Sequence, residues 1–302
     1  MSETKGMSLH IGVNYLDKKG YPLKPAHPKY PDGWDGYLES CEFDAEELCE
    51  LARKAGFDEP KLLRSQDATA ENVRNEIRRA ANSLKSGDIF FLTYAGHGGQ
   101  VPDRSRDEKT DRLDETWCLH DRQFLDDELF ALYSEFEPGV RILIMSDSCH
   151  SGTVSRGGPI RPPQRSATAR CMPPESVRPI YVARRADYDR IQDETPQVNE
   201  EDVQASILLL AACQDQQEAD GDAFHGFFTQ AVLDVWDNGK FEGNYEDFFA
   251  KIDQELKRVG RSASKARAAA GETVDESKFQ APNHFRIGAE NPAFDSQVPF
   301  QI

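Results

Sequence analysis

The sequence predicts an α/β fold in which a mostly parallel central sheet carries helices on both faces. Short apolar runs, rich in β-branched and aromatic residues, alternate along the chain with amphipathic helical patterns. This alternation is typical of a parallel sheet, because a crossover between parallel strands usually contains a helix. The strand-like runs are also continuously apolar, as expected for strands that are buried on both faces.

The individual elements follow from periodicity and from the residues that begin or end them. Gly56 ends the first amphipathic helix, Thr69 caps the second and Gly87 closes it. The predicted strands are 9–15, 61–64, 140–147 and 204–214, and the segment 88–99 is predicted to be a further strand followed by its exit loop. The predicted helices are 39–56, 70–85, 125–136, 227–236 and 245–260.

Two stretches lack this periodicity. Residues 154–202 are rich in Pro, Arg and Ser, which predicts a long loop or linker, and insertions of this length in a compact domain are often functional. Residues 261–278 form a second stretch that we expect to be mobile. The sequence contains no internal repeat.

Composition and charge limit the functional classes. The 302 residues include 36 Lys and Arg against 53 Asp and Glu, and the net charge of -17 argues against nucleic-acid or anionic-membrane partners. The N-terminal residues have no secretion-signal pattern, so we expect a cytoplasmic protein, and we expect it to be a monomer. Six scattered cysteines without CxxC pairs predict reduced thiols rather than a zinc site or a disulfide framework.

Reactive residues follow two of the apolar strands. The run FFLTY leads into Ala95, Gly96, His97 and Gly98, and the run ILIM leads into Asp147, Ser148, Cys149 and His150. Ligands of open parallel sheets bind beyond the carboxyl ends of the strands. If the two strands are neighbours, His97 and Cys149 face the same crevice.

This pair of side chains is suited to covalent catalysis by a thiol. An adjacent imidazole stabilises the thiolate of Cys149, and His97 would then donate a proton to the leaving amine. The backbone N–H groups of Gly98 and Cys149 could stabilise the oxyanion, each contributing about 3 kcal/mol. The reaction needs neither a metal nor an organic cofactor.

Other interpretations of these residues are weaker. A lone cysteine after a strand is usually a core residue, and a lone histidine usually packs or caps. His150 is a rival base, but neighbouring side chains in extended backbone point in opposite directions, which favours His97. A phosphatase loop would need Arg six residues after the cysteine, where this chain has Ser155 and places Arg156 one residue later.

The motifs YAGHGGQ (94–100) and DSCHSGT (147–153) resemble the histidine and cysteine motifs of caspase-like cysteine peptidases, most closely metacaspases and their bacterial relatives. The 52-residue interval between His97 and Cys149 agrees with the caspase spacing. The segment 210–233, with its Gly-x-Phe-Thr helix start, resembles the opening of the family's small subunit. The resemblance implies a caspase-like three-layer sandwich.

The resemblance also implies a division of the chain. Residues 8–290 would form a single caspase-like domain followed by a C-terminal tail, 291–302. The domain would consist of a large-subunit-like part, a linker and a small-subunit-like part, at 8–153, 154–202 and 203–290.

The resemblance further implies a specificity pocket. Asp147 and Asp44 would be its acidic walls, with Cys41 and Ala95 beside them, although many metacaspases have Ser where this chain has Ala95. Two carboxylates select a cation, so we expect substrates with Arg or Lys before the scissile bond. An alternative role for Asp44 is a solvated position on a helix face.

Calcium activation and self-cleavage are two further expectations. Calcium-dependent metacaspases bind the ion through carboxylates after the histidine motif, which would be Asp114, Asp126 and Asp127 here. A fourth ligand is missing near Arg156, and Asp126 and Asp127 could simply cap a helix. Eight arginines lie between residues 156 and 190, so we expect self-cleavage in this segment, at a bond that the sequence does not identify.

The sequence thus predicts a cysteine endopeptidase that cleaves polypeptides after Arg or Lys through Cys149 and His97. Two alternatives stay open at this point. One is a caspase-like scaffold or regulatory module with weak or conditional activity, and the other is a peptidase of the same clan with another specificity.

Overall fold

A six-stranded sheet forms the centre of the computed structural model, which describes residues 4–104, 113–148, 170–212, 226–269 and 282–302. The order of the strands is β2-β1-β3-β7-β8-β9. All neighbours pair in parallel except β9, which lies antiparallel to β8 at one edge. The strands are β1 (Gly6–Gly12), β2 (Asp58–Arg64), β3 (Ile89–Ala95), β7 (Arg141–Asp147), β8 (Ser206–Ala211) and β9 (Asn283–Gly288).

Helices cover both faces of this sheet and produce three layers. The helices are α1 (Cys41–Lys54), α2 (Ala70–Ser83), α3 (Asp126–Tyr133), α4 (Pro174–Ala183), α5 (Arg185–Glu194), α6 (Phe227–Trp236), α7 (Tyr245–Ala269) and the short α8 (Pro292–Asp295). The predicted α/β sandwich is therefore confirmed. Within the described ranges, no helix has the length and apolar character that a membrane span requires.

Alternate residues of the central strands pack into different layers. In β3, Phe90 and Leu92 join a core cluster with α2 and α3, whereas Phe91 joins a second cluster with α1, α6 and α7. In β7, Ile144 belongs to the first cluster and Met145 to the second. Successive side chains of a strand point to opposite faces, so strands covered on both faces are apolar at every position.

A small antiparallel sheet continues from the exit of β3. Its strands are β4 (Gly98–Pro102), β5 (Leu113–Cys118) and β6 (Gln123–Leu125), in that order. This sheet was not predicted from the sequence. Its first strand begins with two glycines and its second contains adjacent charged residues, so neither has the apolar pattern of a core strand.

The structure corrects both predictions of irregular chain. Helix α7 continues to Ala269, so the first half of the stretch 261–278 is helical. The predicted linker contains α4 and α5, with Pro179 inside α4. Residues 154–169 of the linker and 270–278 of the second stretch lie outside the described residues.

Candidate active site

The two strands that carry the reactive motifs are direct neighbours and end at the same level. Strands β3 and β7 pair in parallel, and their last residues, Ala95 and Asp147, are opposite each other. His97 and Cys149 each follow this pair by two residues in the sequence. The predicted adjacency of the strands is confirmed. Cys149 lies outside the described residues, which stop after Ser148 on this side.

Two hydrogen bonds hold the loop that carries His97. The buried Tyr94 hydroxyl donates to the carbonyl oxygen of His97 at 2.7 Å. The backbone N–H of Cys118, at the end of β5, donates to the same oxygen at 2.9 Å. The Tyr94 ring also stacks on Trp117 at 4.6 Å between centroids. The small sheet therefore fixes the backbone that presents the histidine.

The hydrogen bond of the His97 ring identifies its basic nitrogen. Nε2 lies 3.1 Å from the carbonyl oxygen of Gly36. A carbonyl oxygen can only accept, so Nε2 carries the hydrogen and Nδ1 is the nitrogen that can take up a proton. Trp34 packs against the ring at 4.9 Å between centroids. Gly36 and Trp34 were not predicted from the sequence, because they precede α1 in an irregular segment.

The structure brings Asp44 and Asp147 together although they are far apart in the sequence. Asp44 lies in the first turn of α1, and Asp147 ends β7. Their exposures are 0% and 2%, so Asp44 is not a solvated position on a helix face. Because an unpaired buried carboxylate is costly, a partner for both is expected.

That partner is Arg170, the first described residue of the linker. Its Nη2 donates to Ser40 Oγ at 2.9 Å and also to Asp44 Oδ2. Its Nη1 lies 3.1 Å from Asp147 Oδ2 and donates to the Asp147 carbonyl oxygen at 3.1 Å. Arg170 has 1% exposure, and its guanidinium group occupies the predicted specificity pocket.

The charged groups in this pocket shift the pKa of the Asp147 carboxyl in opposite directions. Burial raises the pKa of the Asp147 carboxyl, the positive charge of Arg170 opposes this shift, and Asp44 adds to it. Burial raises the pKa of the Cys41 thiol to about 12. Cys41 is therefore a neutral wall residue, and it packs with Ala95 and Leu38 in a small apolar cluster.

Three further residues complete the pocket. The N–H of Gly226 donates to both oxygens of Asp44 at 3.1 Å, and Thr229 Oγ1 donates to Asp147 Oδ2 at 2.9 Å. Ser40 contributes the hydroxyl described above. The Gly-x-Phe-Thr pattern pointed to the segment of Gly226 and Thr229 but not to their contacts with the carboxylates.

The backbone of Arg170 and its successors lies along β4. The Gly98 N–H, one of the two predicted oxyanion donors, donates to the Arg170 carbonyl oxygen at 3.0 Å. The Gly98 carbonyl oxygen accepts the N–H of Met172 at 2.8 Å. A single residue of β4 therefore contacts the chain on both sides of the Arg170–Cys171 peptide bond.

The predicted calcium ligands lie at the small sheet. Asp114 is in β5, and Asp126 and Asp127 are the first residues of α3, which follows β6 directly. Asp126 Oδ1 accepts the N–H of Asp127 at 2.9 Å. In the described parts of the chain, no group of three or more His, Cys, Asp or Glu side chains is arranged to hold a metal ion. These aspartates do not form a complete cation site by themselves.

Comparison with known proteins gives one family match and several relatives. Residues 26–294 match the family model described as "Caspase domain". Metacaspase-4 of Arabidopsis thaliana is 30% identical over 132 residues, which are 41% of this chain and 31% of that protein. Metacaspase-1 of Kluyveromyces lactis is 32% identical over 163 residues, which are 49% of this chain and 33% of that protein. The matched region spans about a third of these relatives.

A solved structure matches nearly the whole chain. The crystal structure of protein GSU0716 from Geobacter sulfurreducens is 41% identical, with a TM-score of 0.75 and coverage of 98% of both chains.

Proposed function

We propose, for a chain that belongs to the caspase-domain family of peptidases, that it is a cysteine endopeptidase cleaving polypeptides after arginine or lysine. Cys149 would be the nucleophile and His97 the general acid and base. The observation that carries the proposal is the position of Arg170. Its side chain occupies the acidic pocket, and its carbonyl oxygen accepts from Gly98, the predicted oxyanion donor.

The contacts of Arg170 support a preference for arginine. Its two terminal nitrogens divide between Asp44 and Asp147, which is the fork geometry of a guanidinium. A lysine has one terminal nitrogen and would reach both carboxylates less well. We therefore expect lysine substrates to be cleaved more slowly than arginine substrates.

The hydrogen bond of His97 supports its role in proton transfer. With Nε2 donating to Gly36, Nδ1 would accept the thiol proton of Cys149 as sulfur attacks the substrate carbonyl carbon. Charge develops on the carbonyl oxygen, where the Gly98 N–H would donate to it. His97 would then protonate the leaving amine, and water would hydrolyse the thioester.

The same contacts support self-processing at one bond. Arg170 is held in the pocket by its own chain, so the bond that follows it, Arg170–Cys171, is the one we propose to be cut. Arg184 and Arg185, the double arginine of the linker, lie at the junction of α4 and α5. There Arg184 donates to the carbonyl oxygens of Gly20 and Asp121 at 3.1 and 3.0 Å.

Fluorogenic peptides ending in Arg, Lys, Asp or Asn test this proposal. The parent should cleave the Arg and Lys peptides, and Cys149→Ala should not. Asp44→Asn should lower kcat/KM for the Arg peptide by about 100-fold or more, since removing one partner of a buried ion pair costs about 3–5 kcal/mol. Glu47→Gln, on the same helix α1, is the matched control and should leave the rate unchanged.

Other results would contradict the proposal. Equal turnover by the parent and by Cys149→Ala would exclude the nucleophile. A preference for Asp or Asn would exclude the pocket assignment. An absence of cleavage by every variant would favour the alternative of a caspase-like scaffold or regulatory module.

Calcium activation remains a proposal that rests on the resemblance of the segment 111–129 to that of calcium-dependent metacaspases. Asp114, Asp126 and Asp127 supply hard oxygen ligands at one end of the small sheet but need further ligands. If they bind calcium, Asp126→Ala should abolish any increase in the rate of Arg-peptide cleavage on adding Ca²⁺. An unchanged increase would remove Asp126 from the site.

A further inference from the structure

The segment after Arg170 is anchored to the domain independently of the arginine pocket. We refer to residues 171–194, which contain α4 and α5, as the strap. Three of its side chains, Met172, Ile180 and Tyr188, have 1% exposure or less. The Tyr188 hydroxyl also accepts the backbone N–H of Gln123 at 3.2 Å. Breaking the Arg170–Cys171 bond would leave these contacts intact.

Polar contacts attach the strap at several more points. Besides the two bonds of Arg184 to backbone carbonyl oxygens, Gln192 Nε2 donates to the Pro102 carbonyl oxygen at 3.1 Å. Arg104 forms ion pairs with Asp189 and Asp193. The new amino terminus at Cys171 would therefore stay beside Gly98, which accepts the N–H of Met172.

The other end of the broken bond would also be retained. The Arg170 side chain is held by Asp44 and Asp147, and its carbonyl oxygen accepts from Gly98. Residue 170 also stays covalently linked to β7 through residues 148–169. Groups held in place react as if highly concentrated, with effective concentrations from millimolar for flexible tethers to about 10⁵ M or more for aligned groups.

We propose that the chain opens and reseals its own Arg170–Cys171 bond, so that it has a peptide-ligase activity towards its own cut. This inference rests on the proposed function. It makes Arg170 an internal competitor of peptide substrates, because both cut ends stay attached to the domain and can return to the cleft.

The reaction balances without an oxidant or a cofactor. In opening, the Cys149 sulfur bonds to the Arg170 carbonyl carbon, the C–N bond breaks, and His97 gives its proton to the Cys171 nitrogen. Water can then replace the sulfur and leave an Arg170 carboxylate. In resealing, these steps run in reverse: one oxygen of the Arg170 carboxylate leaves as water with the thiol proton of Cys149 and one proton of the Cys171 ammonium group, and the thioester forms again. The Cys171 amine then displaces the sulfur, which takes back a proton from the amine.

Incubation of the full chain in water enriched in oxygen-18, with and without hydroxylamine, tests the inference. The uncut peptide that spans residues 170 and 171 should gain a heavy oxygen at the Arg170 carbonyl in the parent but not in Cys149→Ala. If resealing precedes attack by water, hydroxylamine should instead trap Arg170 as a hydroxamate. Mass spectrometry of the digested chain distinguishes all of these products.

Two matched variants test the role of the strap. Arg184→Gln removes two bonds between the strap and the domain, so heavy oxygen in the uncut peptide should fall about tenfold while the cut fraction rises. Arg190→Gln affects only an exposed ion pair with Glu194 on the same strap and should behave as the parent. Cleavage of an Arg peptide in trans verifies that each variant is folded.

The outcomes separate the inference from the proposed function. Heavy oxygen confined to the cut chain would overturn resealing, because cleavage would then be one-way. Cleavage of Arg peptides in trans, with neither label nor hydroxamate at Arg170, would overturn the inference and leave the proposed function standing. Loss of all Cys149-dependent cleavage of Arg peptides would overturn both.

Discussion

Gly226 lies against the guanidinium of Arg170 with no room for a side chain. A Cβ atom added there would lie 2.2 Å from Asp147 Oδ2 and 2.7 Å from Arg170 Nη2. The backbone at Gly226 has φ −65° and ψ 139°, which any residue can adopt. The absence of a side chain at this position therefore serves the pocket rather than the backbone.

Gly226→Ala should consequently reduce binding of arginine without straining the chain. We expect kcat/KM for Arg peptides to fall by about 100-fold, because the methyl group separates the guanidinium from a buried carboxylate, a loss of about 3 kcal/mol or more. Peptide cleavage measures this effect. Equal kcat/KM values for Gly226→Ala and the parent would show that the substrate arginine binds elsewhere.

Strand β1 contains a buried histidine that contacts β3 and affects the stability of the sheet. His10 has 0% exposure, its Nδ1 lies 3.0 Å from Thr93 Oγ1, and its ring packs against Phe91. Burial, together with the smaller effect of the nearby Arg53 charge, lowers the pKa of His10 to about 3. The folded chain therefore keeps this imidazole neutral in mild acid.

The resulting pH dependence has a definite sign. Below a pKa of about 6.5 the unfolded chain binds a proton at His10 that the folded chain does not. The free energy of unfolding therefore decreases by about 1.4 kcal/mol for each unit by which the pH is lowered. His10→Gln should remove this contribution from the free energy of unfolding between pH 6 and pH 4. Urea unfolding measures it, with the partly exposed His27→Gln as control. Parallel pH profiles for the parent and His10→Gln would refute the assignment.

Most strands of the main sheet and most helices follow from the sequence, and the helices that were missed have a physical reason. The helix 227–236 has the predicted bounds, because its apolar face and glycine start are local features. Helices α4 and α5 were missed because arginines and prolines conceal their few buried side chains, such as Ile180 and Tyr188. Local periodicity does not show which distant element buries them.

The site was predicted unevenly for the same reason. His97, Gly98, Asp44 and Asp147 belong to motifs at strand and helix ends, which the sequence displays. The placement of Arg170 between two carboxylates depends on tertiary packing, and eight arginines of the linker were equivalent in the sequence. Gly36 contacts His97 through its carbonyl oxygen. Every residue has this group, so the residue type at position 36 does not indicate the contact.

At the scale of the molecule, the C-terminal segment completes the core. Phe300, at the end of the predicted tail, has 2% exposure and packs against the rings of Phe91, Trp236 and Phe248. Arg141, at the start of β7, donates to the carbonyl oxygen of Gln301 at 3.0 Å. The C-terminal segment thus shares one core cluster with residues of α1, β3 and α6.

Phe300→Ala should therefore destabilise the whole domain. Truncation of a buried phenylalanine costs about 3–5 kcal/mol, part of it from the cavity that remains. Val298→Ala, at a side chain with 48% exposure, should change the free energy of unfolding by less than about 0.5 kcal/mol. Denaturant titration compares the two, and similar values for both variants would mean that the segment is peripheral.

The arginine pocket takes its walls from both halves of the polypeptide: Ser40 and Asp44 from the beginning, Asp147 from the middle, and Gly226 and Thr229 from the later part. Ribosomes make proteins from the amino terminus, so Asp44 and Asp147 are synthesised well before Gly226 and Thr229. A growing chain cannot hold an arginine in a finished pocket until Thr229 has been added and folded into place. The order of synthesis thus delays completion of the arginine pocket until residue 229 has been made.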